Sequence, residues 1–310
     1  MATADTTLRS PDVPKMSAAD HDELNTLLVA LEADVWPEEF AAAREFYDAW
    51  GTPVADDIAV TTHHPGGVAS YLATPPGADP SRIGLWLHGG GYVYGSQRSH
   101  GSMIAETARA AGFAITHLQY RRAPENRYPA ALDDAVAAYR GLLDEGWNPR
   151  AITLIGDSAG GGLVLAVLLF LRDHGIPLPA AAACISPWAD LAGTGESFAA
   201  NEDVDPLISR SVVGLVKDAY LGDTPVQTPY ASPLYGEVAG LPPILIQVGE
   251  REMLLSDAER FAGKLRAAGR PVTLEVWPGM VHVWRLHHTR LAKAREGIQR
   301  LGAFLRSPSN

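Results

Sequence analysis

The residues with the clearest chemical character form the sequence Gly-Asp-Ser-Ala-Gly at positions 156–160. They follow an apolar segment predicted to be a strand and precede residues 161–174, which are predicted to form a helix. A serine on such a tight turn projects its hydroxyl above the sheet, and glycines on both sides let neighbouring backbone approach closely. Free N–H groups at the helix N-terminus favour an oxyanion nearby. The pattern predicts that Ser158 is a nucleophile, with a plain glycine-rich turn as the alternative.

A second glycine-rich loop, His-Gly-Gly-Gly at positions 88–91, follows the predicted strand 83–87. Glycines leave backbone N–H groups uncovered by side chains, which the oxyanion of a tetrahedral intermediate requires. We expect Gly90 and Gly91 to donate such groups together with Ala159. A phosphate-binding loop is the alternative, but no G-K-[ST] follows and the G-x-G-x-x-G spacing is incomplete. A plain flexible turn is the other alternative.

A serine hydroxyl is a poor nucleophile until a base takes its proton, so a histidine must reach Ser158. The chain has ten histidines. His282 lies just past the last predicted strand and before the final helical pattern, which predicts a position at a strand end beside Ser158. His287 and His288 are expected further along, in the final helix. His282 is therefore the predicted base.

The carboxylate that orients this histidine is predicted to follow the strand at residues 244–248. Glu252 lies close to the strand end, where an acid can reach a histidine on the next loop. Asp257 is expected on the following helix, where it can cap the first turn. Five residues of helix rotate a side chain by roughly 140°, so both acids cannot face the histidine alike. Glu252 is the predicted acid, and Asp257 is the alternative.

Three aromatic residues, Trp36, Tyr92 and Trp188, belong to segments expected near the strand ends. They are predicted to line an acyl or alcohol pocket, although large aromatics are also ordinary core residues. No spacing of histidines and carboxylates recommends a metal site. The predicted triad needs neither a metal nor another cofactor.

Strand and helix patterns alternate from about residue 57 onward, which predicts a mostly parallel eight-stranded sheet with helices on both faces. The first two strands are close enough to form an antiparallel hairpin at one edge. The predicted strands are 58–62, 68–73, 83–87, 113–118, 152–155, 181–185, 244–248 and 272–276. The predicted helices between and after them are 99–111, 130–145, 161–174, 256–268 and 290–305.

Two segments interrupt this alternation: residues 1–50, with helical patterns at 20–33 and 38–50, and residues 188–222. Segments inserted there are expected above the carboxyl ends of the strands, where open α/β sheets bind ligands. We therefore predict that they form one helical cap, and that residues 51–187 and 223–310 form the catalytic domain. Decoration elsewhere on the surface is the alternative.

The composition excludes several classes of partner. The 310 residues carry a formal net charge of −11, which argues against nucleic acid or an anionic membrane surface. The longest apolar run, residues 163–171, is too short to span a bilayer, and residues 1–17 contain no apolar stretch typical of a secretory signal. The single cysteine, Cys184, excludes an internal disulfide and fits a reducing cytoplasm.

The two glycine motifs, about 70 residues apart, resemble those of the hormone-sensitive-lipase-like family of α/β-hydrolases, in the bacterial esterase branch with a GDSAG elbow. Residues 120–125, Tyr-Arg-Arg-Ala-Pro-Glu, resemble the family's Y-R-L-A-P-E with arginine replacing leucine. His282 matches the family's P-G-M-x-H. The family usually has aspartate at the position of Glu252, but one branch carries E-x-L-L-x-D, as this chain does.

The resemblance implies a serine hydrolase that acts on short- to medium-chain acyl esters or lactones, with a helical cap. It also implies a homodimer that pairs through the last strand, residues 272–276. A lactone hydrolase or an amide-cleaving enzyme with the same triad is one rival hypothesis. A non-catalytic binding protein, like the plant gibberellin receptors that share this fold, is another. The presence of Ser158, His282 and a carboxylate argues against a binding protein.

Overall fold

An eight-stranded sheet forms the centre of the computed structural model, which describes residues 9, 10 and 12–308. The strand order is β1-β2-β4-β3-β5-β6-β7-β8; β2 pairs antiparallel with β1 and β4, and all other pairs are parallel. This confirms the predicted α/β class and the hairpin at one edge. The strands are β1 Ala59–His63, β2 Ser70–Thr74, β3 Ile83–Leu87, β4 Ala114–Leu118, β5 Ile152–Asp157, β6 Ala181–Ile185, β7 Ile244–Gly249 and β8 Val272–Trp277.

Helices cover both faces of this sheet. Successive side chains of a strand point to opposite faces, and Leu85 and Trp86 of β3 accordingly belong to two different apolar clusters. Helices α4, α5 and α8 contribute to the first cluster, and α3 and α9 contribute to the second. The helices are α1 Ala18–Glu32, α2 Phe40–Asp48, α3 Gln97–Ala111, α4 Ala130–Asp144, α5 Ala159–Asp173, α6 Ser197–Ala200, α7 Arg210–Leu221, α8 Leu255–Ala267 and α9 Ala292–Arg306.

Most predicted boundaries lie within two residues of the observed ones, and the differences have local causes. β2 begins at Ser70 because the N–H of Val68 bonds the carbonyl of Pro65 and closes a 3-10 turn. α5 begins at Ala159, directly after Ser158, so the turn between β5 and α5 is tighter than predicted. α9 begins only at Ala292.

The outer edge of β8 is partly covered by residues near the N-terminus. The N–H of Ser10 donates to the carbonyl of Leu274 at 2.7 Å, and Arg9 pairs with Glu259 at 2.7 Å. Beyond this contact, no strand within the described residues pairs with the outer edge of β8. Within the same residues, no helix is both long and apolar enough to cross a membrane.

The crossing of β3, β5 and α5 is unusually close. A Cβ atom on Gly160 would lie 2.0 Å from the carbonyl oxygen of Leu87 and 2.4 Å from that of His88. A Cβ atom on Gly156 would lie 2.4 Å from the carbonyl oxygen of Gly160. Only glycine fits at these two positions without displacing backbone.

We predict that Gly160→Ala lowers the free energy of unfolding by about 1–3 kcal/mol or more, since its methyl group would overlap backbone that cannot yield. Gly214→Ala is the matched control, because nothing lies within 4 Å of a Cβ atom at that position of α7. The control should be neutral or more stable by up to about 1 kcal/mol. Urea unfolding of both variants measures the difference, and equal stabilities would contradict the close crossing.

Candidate active site

Three polar side chains meet at the carboxyl ends of the parallel strands. Ser158 follows β5, Glu252 follows β7 and His282 follows β8. His282 Nε2 lies 2.8 Å from Ser158 Oγ, and His282 Nδ1 lies 2.9 Å from Glu252 Oε2. The structure thus brings together the serine, base and acid that the sequence predicts.

Ser158 occupies a strained backbone position. Its φ of 53° and ψ of −122° lie where side chains are rarely found, at a cost of about 1–3 kcal/mol. Its N–H donates to the carbonyl of Ile185 at 2.8 Å, and its carbonyl accepts the N–H of Trp188 at 3.0 Å. These bonds to β6 and the following loop hold the turn, so its hydroxyl stays aimed at His282.

The neighbouring Asp157 joins this turn to the glycine loop. Its buried carboxylate accepts hydrogen bonds from Trp86 Nε1 at 2.9 Å, from the N–H of Gly89 at 3.1 Å and from His100 at 3.2 Å. Burial would raise the pKa of Asp157, but the charge of His100 and the hydrogen bonds from His100 and Trp86 lower that pKa. The carboxylate therefore stays ionised. The sequence pattern predicts no role for Asp157, although an acid at the end of an apolar strand is the available signal.

The glycine loop has an open, left-handed backbone beside Ser158. Gly90 has a φ of 100° and Gly91 a φ of 61°. The carbonyl of Gly90 accepts the N–H groups of Val93 and Tyr94 at 3.0 and 2.7 Å, which fixes the turn. The N–H groups of Gly90, Gly91 and Ala159 donate to no acceptor among the described residues. They remain available to a negatively charged oxygen near Ser158.

His88 at the start of this loop is a structural residue. Its ring stacks on Tyr120 with 4.2 Å between centroids, and the Tyr120 hydroxyl donates to the His88 carbonyl at 2.7 Å. Burial lowers the pKa of His88 to about 3. The ring is therefore neutral and packs the loop against the core.

Glu252 is fully buried, and both of its carboxylate oxygens have hydrogen-bond partners. Oε1 accepts the Ser186 hydroxyl at 2.7 Å and the N–H of Gly249 at 2.5 Å, which leaves Oε2 for His282. Burial would lower the pKa of His282, but the hydrogen bond and charge of Glu252 outweigh it and raise that pKa. With Nδ1–H donated to Glu252, the neutral ring offers Nε2 as an acceptor for the proton of Ser158.

Asp257 lies in the first turn of α8, as predicted, but the prediction that it caps this turn is wrong. Its carboxylate accepts the N–H groups of Ala189 and Asp190 at 2.9 and 2.8 Å. These N–H groups belong to the segment after β6, which contacts the start of α8 and pairs with no strand among the described residues. Burial raises the pKa of Asp257 to about 8. The residue ties the segment after Trp188 to the core.

The prediction that His287 and His288 lie in the final helix is also wrong. His287 ends the 3-10 turn Trp284–His287, and His288 follows it in a loop before α9. Burial lowers the pKa of His287 to about 4. Neither ring makes a hydrogen bond to the triad.

A cavity of about 400 Å³ lies over Ser158 and His282. One wall comes from the end of α1 and the segment through α2, and another comes from the segment after β6. The remaining lining residues are Leu31, Glu32, Asp34, Trp36, Tyr47, Trp50, Gly90, Gly91, Tyr94, Trp188, Asp205, Pro206, Leu207, Ile208, Ser209, Val212, Val213, Val216, Leu254, Val283 and Leu286.

Two of the three predicted aromatic residues, Trp36 and Trp188, line this cavity. Tyr92 does not, so its prediction as a pocket residue is wrong. Its ring is buried and stacks on Tyr220 of α7 with 3.7 Å between centroids. Tyr92 thus holds α7 against the glycine loop. Within the described residues, no group of three or more His, Cys, Asp or Glu side chains could hold a metal ion.

Comparison with known proteins agrees with this fold and site. Residues 84–286 match the model of a family described as α/β hydrolase fold. An acetyl-hydrolase of Streptomyces hygroscopicus is 44% identical over 265 residues, covering 86% of this chain and 87% of that protein. An ethyl acetate hydrolase of Pseudomonas putida is 31% identical, covering 87% and 88%. The crystal structure of an esterase from the bacterial hormone-sensitive lipase family is 43% identical with a TM-score of 0.90, covering 94% and 99%.

The fold is thus that of the α/β hydrolases. The chain belongs to this family, in the hormone-sensitive-lipase-like branch that its two glycine motifs resemble.

Proposed function

We propose that this protein is a serine carboxylesterase. The observation that carries the proposal is the line of hydrogen bonds from Ser158 through His282 to Glu252, which lies at the floor of a cavity of about 400 Å³. A hydroxyl, an imidazole and a carboxylate in this order activate a nucleophile for attack on a carbonyl carbon. The similarity to esterases and to an acetyl-hydrolase supports the same activity.

In the first half-reaction, Ser158 Oγ attacks the ester carbonyl while His282 Nε2 takes the hydroxyl proton. Glu252 keeps the ring in the correct tautomer and stabilises the imidazolium that forms. The tetrahedral intermediate collapses when His282 gives its proton to the leaving alkoxide. An alcohol departs and an acyl-enzyme on Ser158 remains.

In the second half-reaction, a water molecule takes the place of the alcohol. His282 accepts a proton from this water as its oxygen bonds to the acyl carbon. The second tetrahedral intermediate then releases the carboxylic acid, and His282 returns the proton to Ser158. In both halves the N–H groups of Gly90, Gly91 and Ala159 stabilise the oxyanion, because no acceptor among the described residues already occupies these N–H groups.

The cavity favours small substrates. A volume of about 400 Å³ is near the low end for small-molecule sites and suits short- to medium-chain acyl esters. Trp36 and Trp188 contribute apolar surface that an acyl or alcohol group can contact. A lactone is the nearest alternative substrate, because ring opening uses the same triad. An amide is another, with an amine as the leaving group.

A non-catalytic binding protein is the rival from another class. It would need no base in contact with Ser158. The 2.8 Å distance between His282 Nε2 and Ser158 Oγ favours an enzyme.

We further propose that residues 1–50 and 188–222 act as a cap over a catalytic domain of residues 51–187 and 223–310. Leu31 and Trp36 from the first segment and Val213 from the second line the cavity that holds Ser158, which supports this division. Such a cap would exclude water and select the substrate. The single, buried Cys184 and the net charge of −11 support a cytoplasmic enzyme that has no nucleic-acid partner.

The nucleophile is tested by Ser158→Ala, which removes the attacking hydroxyl. We predict a loss of about 10⁴- to 10⁶-fold in kcat on p-nitrophenyl acetate and butyrate, with the circular dichroism spectrum unchanged. A fluorophosphonate probe should label the native protein once, at Ser158, and should not label the variant. A variant that keeps more than a few per cent of the activity would contradict the mechanism.

We propose a homodimer that forms on the outer edge of β8, where the described residues supply only the short contact of Arg9 and Ser10. An exposed edge strand is a template for pairing with a second chain, although Ser10 already occupies the carbonyl of Leu274. Such a dimer must therefore displace or incorporate this N-terminal contact. We predict that light scattering at micromolar concentration gives the mass of two chains. The mass of one chain would contradict the proposal.

A further inference from the structure

The loop that carries Glu252 is held by side chains from a distant segment. This acid loop comprises residues 250–254, between β7 and α8. Asn201 Nδ2 donates to the carbonyls of Glu252 at 2.9 Å and Glu250 at 3.2 Å. The segment that supplies Asn201 is the one inserted between β6 and β7, which also lines the cavity.

Two neighbours of Asn201 bond the next residue of the acid loop. The Ser197 hydroxyl donates to the carbonyl of Met253 at 2.6 Å, and Asp205 Oδ2 accepts the N–H of Met253 at 2.9 Å. The Ser197 hydroxyl also accepts the N–H of Ser256 at 2.8 Å, and Ser256 Oγ accepts the N–H of Ser197 at 2.8 Å.

The three side chains reach one loop because of their spacing. The N–H of Asn201 donates to the carbonyl of Ser197 at 2.9 Å, and the N–H of Asp205 donates to that of Asn201 at 2.8 Å. These helical contacts stack residues four apart on one face. Ser197 and Asp205 are both buried, as are Glu252 and Met253, so their bonds are shielded from water.

We propose that Ser197, Asn201 and Asp205 form a clamp that positions Glu252 against His282, so that the inserted segment builds part of the triad's support. This proposal rests on the esterase function proposed above. Glu252 lies outside helix and strand, and the clamp bonds its carbonyl and both main-chain polar groups of Met253. A shift of about 1 Å at a catalytic group can cost on the order of 100-fold in rate.

Asp205 also connects the clamp to the cavity wall. Its second oxygen, Oδ1, accepts the N–H groups of Leu207 at 3.1 Å and Ile208 at 3.3 Å, and both residues line the cavity. One carboxylate thus fixes the acid loop and the substrate-facing wall together. Burial raises the pKa of Asp205 to about 6, although the charge of His282 and the Met253 bond oppose this.

Asn201 gives the cleanest test, because Asn201→Ala changes no charge and Asn201 does not line the cavity. The charged groups that act on His282 are Glu252, Asp205 and Asp157, and all three raise its pKa. If Glu252 moves away, the pKa of His282 falls. The acid limb of the plot of kcat/KM against pH reports this pKa, so that limb should move to lower pH.

We expect Asn201→Ala to lower kcat by about 10- to 100-fold with KM changed by no more than about twofold. In a Glu252→Gln background the same change should cost less than about threefold, because no charged acid remains to be positioned. Ser197→Ala should behave in the same way and replaces Asn201→Ala if circular dichroism shows that variant to be unfolded. Asn148→Ala, at an exposed 3-10 turn before β5, is the matched control and should leave kcat and the pH profile unchanged.

A proton NMR titration of His282 gives a readout that needs no turnover, so the clamp can be judged even if the native protein hydrolyses no ester. A lower pKa of His282 in Asn201→Ala than in the native protein supports the clamp. An unchanged pKa and acid limb would overturn it. So would a loss of the same size in the native and Glu252→Gln backgrounds.

Discussion

The site depends on one close crossing, where Gly160 at the start of α5 passes the carbonyl oxygens of Leu87 and His88. Because no side chain separates Gly160 from these carbonyl oxygens, the turn at Ser158 lies next to the glycine loop that follows β3. Asp157 then joins the two by accepting the N–H of Gly89. Ser158 and the N–H groups of the glycine loop are thus fixed relative to one another, which is the arrangement that the proposed stabilisation of an oxyanion requires.

Four buried acidic residues lie in and around the site, and their hydrogen-bond partners separate their roles. Glu252 contacts the imidazole of His282, whereas Asp157 holds the glycine loop. Asp257 holds two N–H groups of the segment after β6, and Asp205 holds the acid loop and the cavity wall. Asp157, Asp205 and Asp257 support the backbone around the site, whereas Glu252 alone of the four bonds the ring of His282 and can influence proton transfer there directly.

The sequence predicts the site residues that follow strand ends. Successive parallel strands bring their carboxyl ends to one edge, so Ser158, Glu252 and His282 could be expected together. Tyr92 and Asp257 were misjudged because their partners, Tyr220 and the N–H groups after Trp188, come from a segment whose path over the sheet depends on tertiary contacts. The sequence predicts no role for the clamp, because polar residues four apart are typical of a solvated helix face. Their contacts with the acid loop depend on the same tertiary path.

We propose that Glu252, and not Asp257, activates His282. Measuring kcat for Glu252→Gln and Asp257→Asn, with circular dichroism to confirm folding, distinguishes the two acids. Glu252→Gln should lose several hundredfold or more, given that the comparable change in a serine protease costs about 10⁴-fold. Asp257→Asn should lose far less, because its bonds reach only backbone N–H groups. If Asp257→Asn lost most of its activity and Glu252→Gln kept its activity, Asp257 would be the acid that orients His282.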